Sequence, residues 1–139
     1  MIIYFNILYS SFILLFKVYI INRFRTVILI RELSNYLRNF NFSLTIEQKR
    51  RIHFYTIQSC ITNSWFTQIR GKKADKIETR IEILTGAITP FLDDLVDSKG
   101  FLSNEIIELI NHSEKNSSFP ILIIRYLYNR INVGCSKEY

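Results

Sequence analysis

Apolar residues recur at three- and four-residue intervals along most of the chain and rarely alternate with polar ones. That is the period of helices buried along one side, not of half-buried strands. The first block, from about Ile2 to Phe40, has the helical pattern, with a break expected near Asn22. Asn39 to Ser43 reads as a loop. Thr45 has the character of a helix N-cap, with Glu47 in the turn behind it. From there to about Arg70, residues Ile52, Tyr55, Ile57, Ile61 and Trp65 fall on one side of an amphipathic helix. Gly71 ends that helix, GKKADK makes a polar turn, and Asp75 or Lys76 opens the next. Ile77, Ile81, Leu84, Ile88, Phe91, Leu92 and Leu95 give it its apolar side. Pro90 lies within it and removes one backbone donor, which predicts a bend. Ser98 to Gly100 terminates it. Ser103 caps a short helix with Ile106, Ile107 and Ile110 on one side, and Asn111 to Ser118 is a polar loop. Pro120 suits the first turn of a last helix over about Phe119 to Ile131, which Gly134 closes. The expected fold is all-α, a bundle of five or six helices.

Length and composition agree with that pattern. A chain of 139 residues is one domain, and 4 Gly with 2 Pro leave little material for a turn-rich β fold. Residues 1–44 form an apolar N-terminal region and 45–139 a helical domain. The run MIIYFNILYSSFILLFKVYII has no cation before Lys17 and no small-residue cleavage site, so it is not a cleaved signal. Three readings of it stay open: a core helix, a membrane-embedded or interfacial helix over residues 2–21, or a start site placed too far upstream. Lys17, Arg23, Arg25 and Arg31 follow the run and would hold that end at an anionic cytoplasmic face.

Charge changes the picture because it is segregated. The net charge is +6, yet residues 81–114 carry seven acidic residues and one basic one, whereas residues 45–80 carry eight basic and three acidic. Dispersed cations without a reading motif argue against nucleic acid as a partner. Two cysteines make no disulfide scaffold, and Cys60, in a helical pattern, reads as a buried free thiol of a reducing compartment. His53 and His112 show no zinc-ligand spacing.

The candidate chemistry lies in the acidic block, in DDLVD. Asp93 and Asp97, four apart, project side by side on a helix, and Asp94 sits about 100° round from Asp93. Like charges one turn apart repel, and they lie near the helix C-terminus, where negative charge is disfavoured. A bound cation would remove both penalties, and Mg²⁺, held by one or two carboxylates plus phosphates, suits the arrangement. The bland alternative is a solvated acidic helix end.

Three stretches, KRRIHFYTIQSCITNSWFTQIRGKK, ILTGAITPFLDDLVD and RYLYN, resemble bacterial class I isoprenoid biosynthesis enzymes, over roughly residues 45 to 130. DDxxD resembles the first metal motif of prenyl diphosphate and terpene synthases. The resemblance implies an all-α bundle around an apolar cavity. It implies Mg²⁺ held by Asp93 and Asp97 with Asp94 assisting, and a prenyl diphosphate whose remaining charge meets Arg70, Lys72 or Lys73. Trp65, Phe66 and Phe91 would line the cavity. An active enzyme of this kind would be a Mg²⁺-dependent prenyl transferase or terpenoid synthase. The second metal motif of such enzymes is missing. Asn104, Glu105 and Glu108 imitate it poorly. The expectation is therefore a truncated or split member, the front half of a larger enzyme, with a partial Mg²⁺–diphosphate site. It would be cytoplasmic, at the inner membrane face if residues 2–21 touch lipid, and prone to homodimerise through uncovered apolar surface. The rival reading is a small membrane-associated helical protein without catalysis.

Overall fold

The computed structural model describes residues 2–111 and 118–135, and their side chains apart from those of residues 2–11, 14, 15, 98, 99, 134 and 135. Five helices make up these residues: α1 (Ile2–Arg38), α2 (Ile46–Ile69), α3 (Lys76–Lys99), α4 (Ser103–Asn111) and α5 (Phe119–Cys135). The fold is all-α, as expected. α3 lies at the centre with α2 along one side and α5 along another, and α1 packs on α2 and touches α5.

The helix ends follow the local chemistry. Thr45 accepts from the Gln48 amide at 3.1 Å while Gln48 Oε1 accepts from the Thr45 amide at 2.8 Å. Asp75 does the same for α3, accepting from the Ile77 and Glu78 amides at 2.7 Å. Such reciprocal caps satisfy donors that a helix start otherwise leaves unpaired. Gly100 closes α3 at φ +65°, a left-handed conformation that a side chain disfavours.

Three expectations need correction. α1 runs unbroken through Asn22, which turns into the bundle and is buried. The carbonyl of Asn22 accepts from Thr26 Oγ1 at 2.7 Å, so these two polar side chains lie on the inward stripe with Leu29, Leu33 and Leu37. In α4, Ser103 is one residue inside the helix. Leu102 is the cap, its amide donating to Glu105 Oε2 at 2.7 Å. α5 continues past Gly134 to Cys135.

The buried side of α2 also differs from the apolar stripe in the sequence. Ile52 and Ile57 are buried, but Thr56, Cys60 and Thr67 complete that side, and Trp65 is 56% exposed. The reason lies across the helix pair. A Cβ on Gly86 of α3 would stand 2.7 Å from the Thr56 Cα and 2.9 Å from the Tyr55 carbonyl oxygen. Backbones this close require small residues at the crossing. Cys60 is a buried free thiol, as expected, and burial pushes its pKa up to about 12. On the far side, Tyr36 of α1 stacks on Tyr126 of α5 with ring centroids 4.4 Å apart, and Arg130 ion-pairs with Glu32.

Candidate functional site

Polar contacts across the α2–α3 pair fix its direction and register. Arg70 meets Glu78 at 3.2 Å, Asn63 donates to Glu82 at 2.9 Å, Tyr55 donates to Asp93 at 3.1 Å, and Arg51 meets Asp94 at 2.9 Å. Rising numbers on α3 therefore match falling numbers on α2, and the helices are antiparallel. The acidic end of α3 faces the first turns of α2.

This register answers why three aspartates sit on a greasy helix. Arg51 grips both carboxylate oxygens of Asp94 through Nη1, and its Nη2 donates to the Pro90 carbonyl at 2.8 Å. Tyr55 hydroxyl donates to Asp93. Asp97 lies exposed one turn further on. The charge that relieves the crowded carboxylates is thus supplied by a neighbouring helix, and Arg51 does so together with a hydrogen bond to helix backbone. Among the described residues, no group of three or more His, Cys, Asp or Glu side chains is placed to hold a metal ion.

The other expected site residues are scattered. Arg70, Lys72 and Lys73 lie in the α2–α3 turn, next to the start of α3, and Arg70 is engaged with Glu78. From Asp75 to Asp93 is 18 helical residues, about 27 Å at about 1.5 Å per residue. These cations do not face DDLVD as the charge segregation suggested. Their sequence neighbour is the opposite end of that helix. Phe91 is 2% exposed and belongs to the core. Trp65 and Phe66 are exposed and line different grooves, Trp65 between α1 and α2, Phe66 between α2 and α3. The three aromatic residues share no cavity. Glu105, in the poor imitation of a second metal motif, is occupied in capping α4.

The α2–α3 groove, of about 660 Å³, has a polar floor that includes Ser59, Asn63, Glu82 and Thr89. Burial raises the Glu82 carboxyl to about 6, opposed by the Asn63 hydrogen bond and aided by the nearby Glu78 charge. Its Oε1 is buried without a hydrogen-bond partner.

The most developed surface lies on the opposite side of α2. A groove of about 860 Å³ runs between α1 and α2. Lys49, Arg50 and His53 stand along one end, Ile57, Ile61 and Trp65 along the other, with Arg23 and Val27 on the α1 wall. Burial, and then the nearby Arg23 charge, lower the His53 pKa. The run KRRIH carries this cationic end, but nothing local in the sequence shows that Lys49 and Arg50 turn to α1 while Arg51 turns to α3.

Beyond the groove, α1 carries an uncovered apolar stripe. Phe12, Phe16, Ile20, Phe24 and Ile28 are exposed at four-residue steps, Phe24 to 72%. Lys17, Arg23 and Arg25 are interleaved with them, and Arg31 follows. Among the described residues no helix is long and apolar enough to cross a membrane. Residues 2–11, the first part of the run read as a membrane contact, have side chains outside the described set.

No protein-family model, no curated protein and no solved structure matches the chain. The likeness to class I isoprenoid enzymes rests on the three stretches quoted above alone.

Proposed function

We propose that the chain is a non-catalytic helical protein that lays α1 along the surface of an anionic membrane. The observation that carries this reading is the row from Phe12 to Ile28, five large apolar side chains at four-residue steps, each exposed, with cations set among them. Apolar side chains enter the boundary between head groups and acyl chains, while Lys17, Arg23 and Arg31 extend along their own methylenes to lipid phosphates. An exposed apolar patch that carries cations fits an anionic bilayer better than it fits water. Co-sedimentation with vesicles tests the reading. Vesicles containing phosphatidylglycerol should retain the protein, pure phosphatidylcholine should retain much less, and high salt should weaken retention by screening. Phe24→Glu, at an exposed position, should abolish it. Equal retention of the variant would defeat the proposal.

A second reading keeps one observation of its own. Asp93 and Asp97 lie one turn apart on α3, and the Arg51 guanidinium holds Asp94 between them in sequence. Two carboxylates suffice for Mg²⁺ when phosphate oxygens and water complete its shell. In this reading the pair holds the ion of a Mg²⁺–diphosphate, such as that of a prenyl diphosphate, and Arg51 exchanges Asp94 for phosphate. Saturating Mg²⁺ with pyrophosphate should then raise the melting temperature of the wild type but not of Asp93→Ala. Equal shifts, or none, leave DDLVD as an acidic helix end held by α2.

A further inference from the structure

The groove between α1 and α2 carries three cations together with a run of apolar side chains. Lys49, Arg50 and His53 stand toward the start of α2, among Ile46 and Phe54, and Arg23 adds a third cation from α1. Further along, Ile57, Ile61 and Trp65 give an apolar wall, with Gln58 and Thr62 beside them and Tyr19 on the α1 side. From Arg50 to Trp65 is 15 helical residues, about 22 Å at about 1.5 Å per residue. The hydrocarbon half of one bilayer leaflet is about 15 Å deep, so one acyl chain and its head group fit the groove end to end. A volume of about 860 Å³ is within the range of pockets that enclose a small ligand, about 300–1,000 Å³.

We propose that this groove binds a single-chain lipid with a phosphate head group, the head between Lys49, Arg50 and His53 and the chain along Ile57, Ile61 and Trp65. The cations suit a phosphate head and the apolar side chains suit a tail. A free phosphate would leave the apolar end wet, and an uncharged lipid would leave Lys49 and Arg50 without a partner. A second copy of the chain is the rival occupant, and the mass by light scattering separates it from the lipid. The inference rests on the membrane reading only for the source of the lipid. Lys49, Arg50, Ile61 and Trp65 belong to the groove and not to the α1 stripe.

The chain has one tryptophan, and it lies in the groove. Trp65 emission therefore reports occupancy directly. Palmitoyl lysophosphatidate, added below its micelle concentration, should shift that emission to the blue with saturation. Lysophosphatidylcholine of the same chain should bind at least tenfold more weakly, and inorganic phosphate should produce no shift. Arg50→Glu and Ile61→Glu, both checked for native circular dichroism, should each weaken lysophosphatidate binding at least tenfold. Phe24→Glu should leave it unchanged, which separates this site from vesicle attachment. Equal affinity for the two lysolipids, or full binding by Arg50→Glu, would overturn the proposal. So would a blue shift that appears only as light scattering doubles the mass, which would make the groove a contact between copies.

Discussion

Gly86 is the residue on which the α2–α3 pair depends most directly, because its missing side chain lets two helix backbones meet. Gly86→Ala would place a methyl carbon 2.7 Å from the Thr56 Cα, and backbone cannot swing aside as a flexible side chain can. The expected loss is about 1–3 kcal/mol, the usual range for overpacking, despite the better helix propensity of alanine. Urea denaturation should show a lower midpoint with an unchanged slope. Glu82 gives the molecule a pH dependence of definite sign. Its folded-state pKa of about 6 lies above the ordinary 4.5, so between these values the folded protein holds more of the proton. Stability contributed by this group is full below pH 4.5 and is lost as pH rises through 6. The shift would correspond to about 2 kcal/mol for a fully buried group, and screening of this half-exposed one reduces it to about 1 kcal/mol. Glu82→Gln keeps an acceptor for Asn63, so it should remove that slope and be the more stable protein at pH 7.

Arg125 supports the C-terminal end of α4. The guanidinium is buried, and Nε and Nη2 donate to the Ile110 and Leu109 carbonyls at 3.0 and 2.7 Å. A cation at a helix C-terminus is favourably placed, and these carbonyls have no intrahelical donor. Arg125→Leu keeps apolar bulk but strands the carbonyls, at a cost of about 1–3 kcal/mol. Hydrogen exchange should quicken in Ile106 to Ile110 well before it does in α2 or α3. Uniform loss of protection would mean that Arg125 supports the whole bundle rather than the α4–α5 joint. The elements were readable from the sequence where local chemistry decides them. Thr45, Asp75 and Gly100 mark their helix ends through their own side chains or lack of one. The buried side of α2 was not readable from apolar spacing, because the close approach at Gly86 brings Thr56 and Ser59 against α3. The aspartates of DDLVD stood out, but their partner did not. Arg51 is 43 residues from Asp94, and only the register of two antiparallel helices brings them together. Sequence proximity pointed instead to Arg70, at the wrong end of α3.

At the scale of the whole molecule, α2 has α3 on its small-residue side and α1 across the groove, and Phe54 and Phe66 are exposed in the two grooves. The all-α class follows from periodicity, and the surface that the proposals use follows from how unevenly α1 is covered. Its inward stripe of Asn22, Thr26, Leu29, Leu33 and Leu37 is narrow, so most of its circumference is available for something else. Cys60, on the α2 side that faces the crossing, turns this packing into a clock. A thiol reacts as its anion, and this one is both out of reach and held protonated by a pKa of about 12. In a Cys135→Ser background, a disulfide reagent at pH 8 should modify Cys60 only when α2 leaves α3. At high reagent concentration the labelling rate should reach a plateau that no longer depends on reagent. That plateau is the opening rate of the bundle, read in native buffer, and Gly86→Ala should raise it while Phe24→Glu leaves it alone. A buried sulfur with no chemistry of its own thereby becomes the means of timing how often the molecule comes apart.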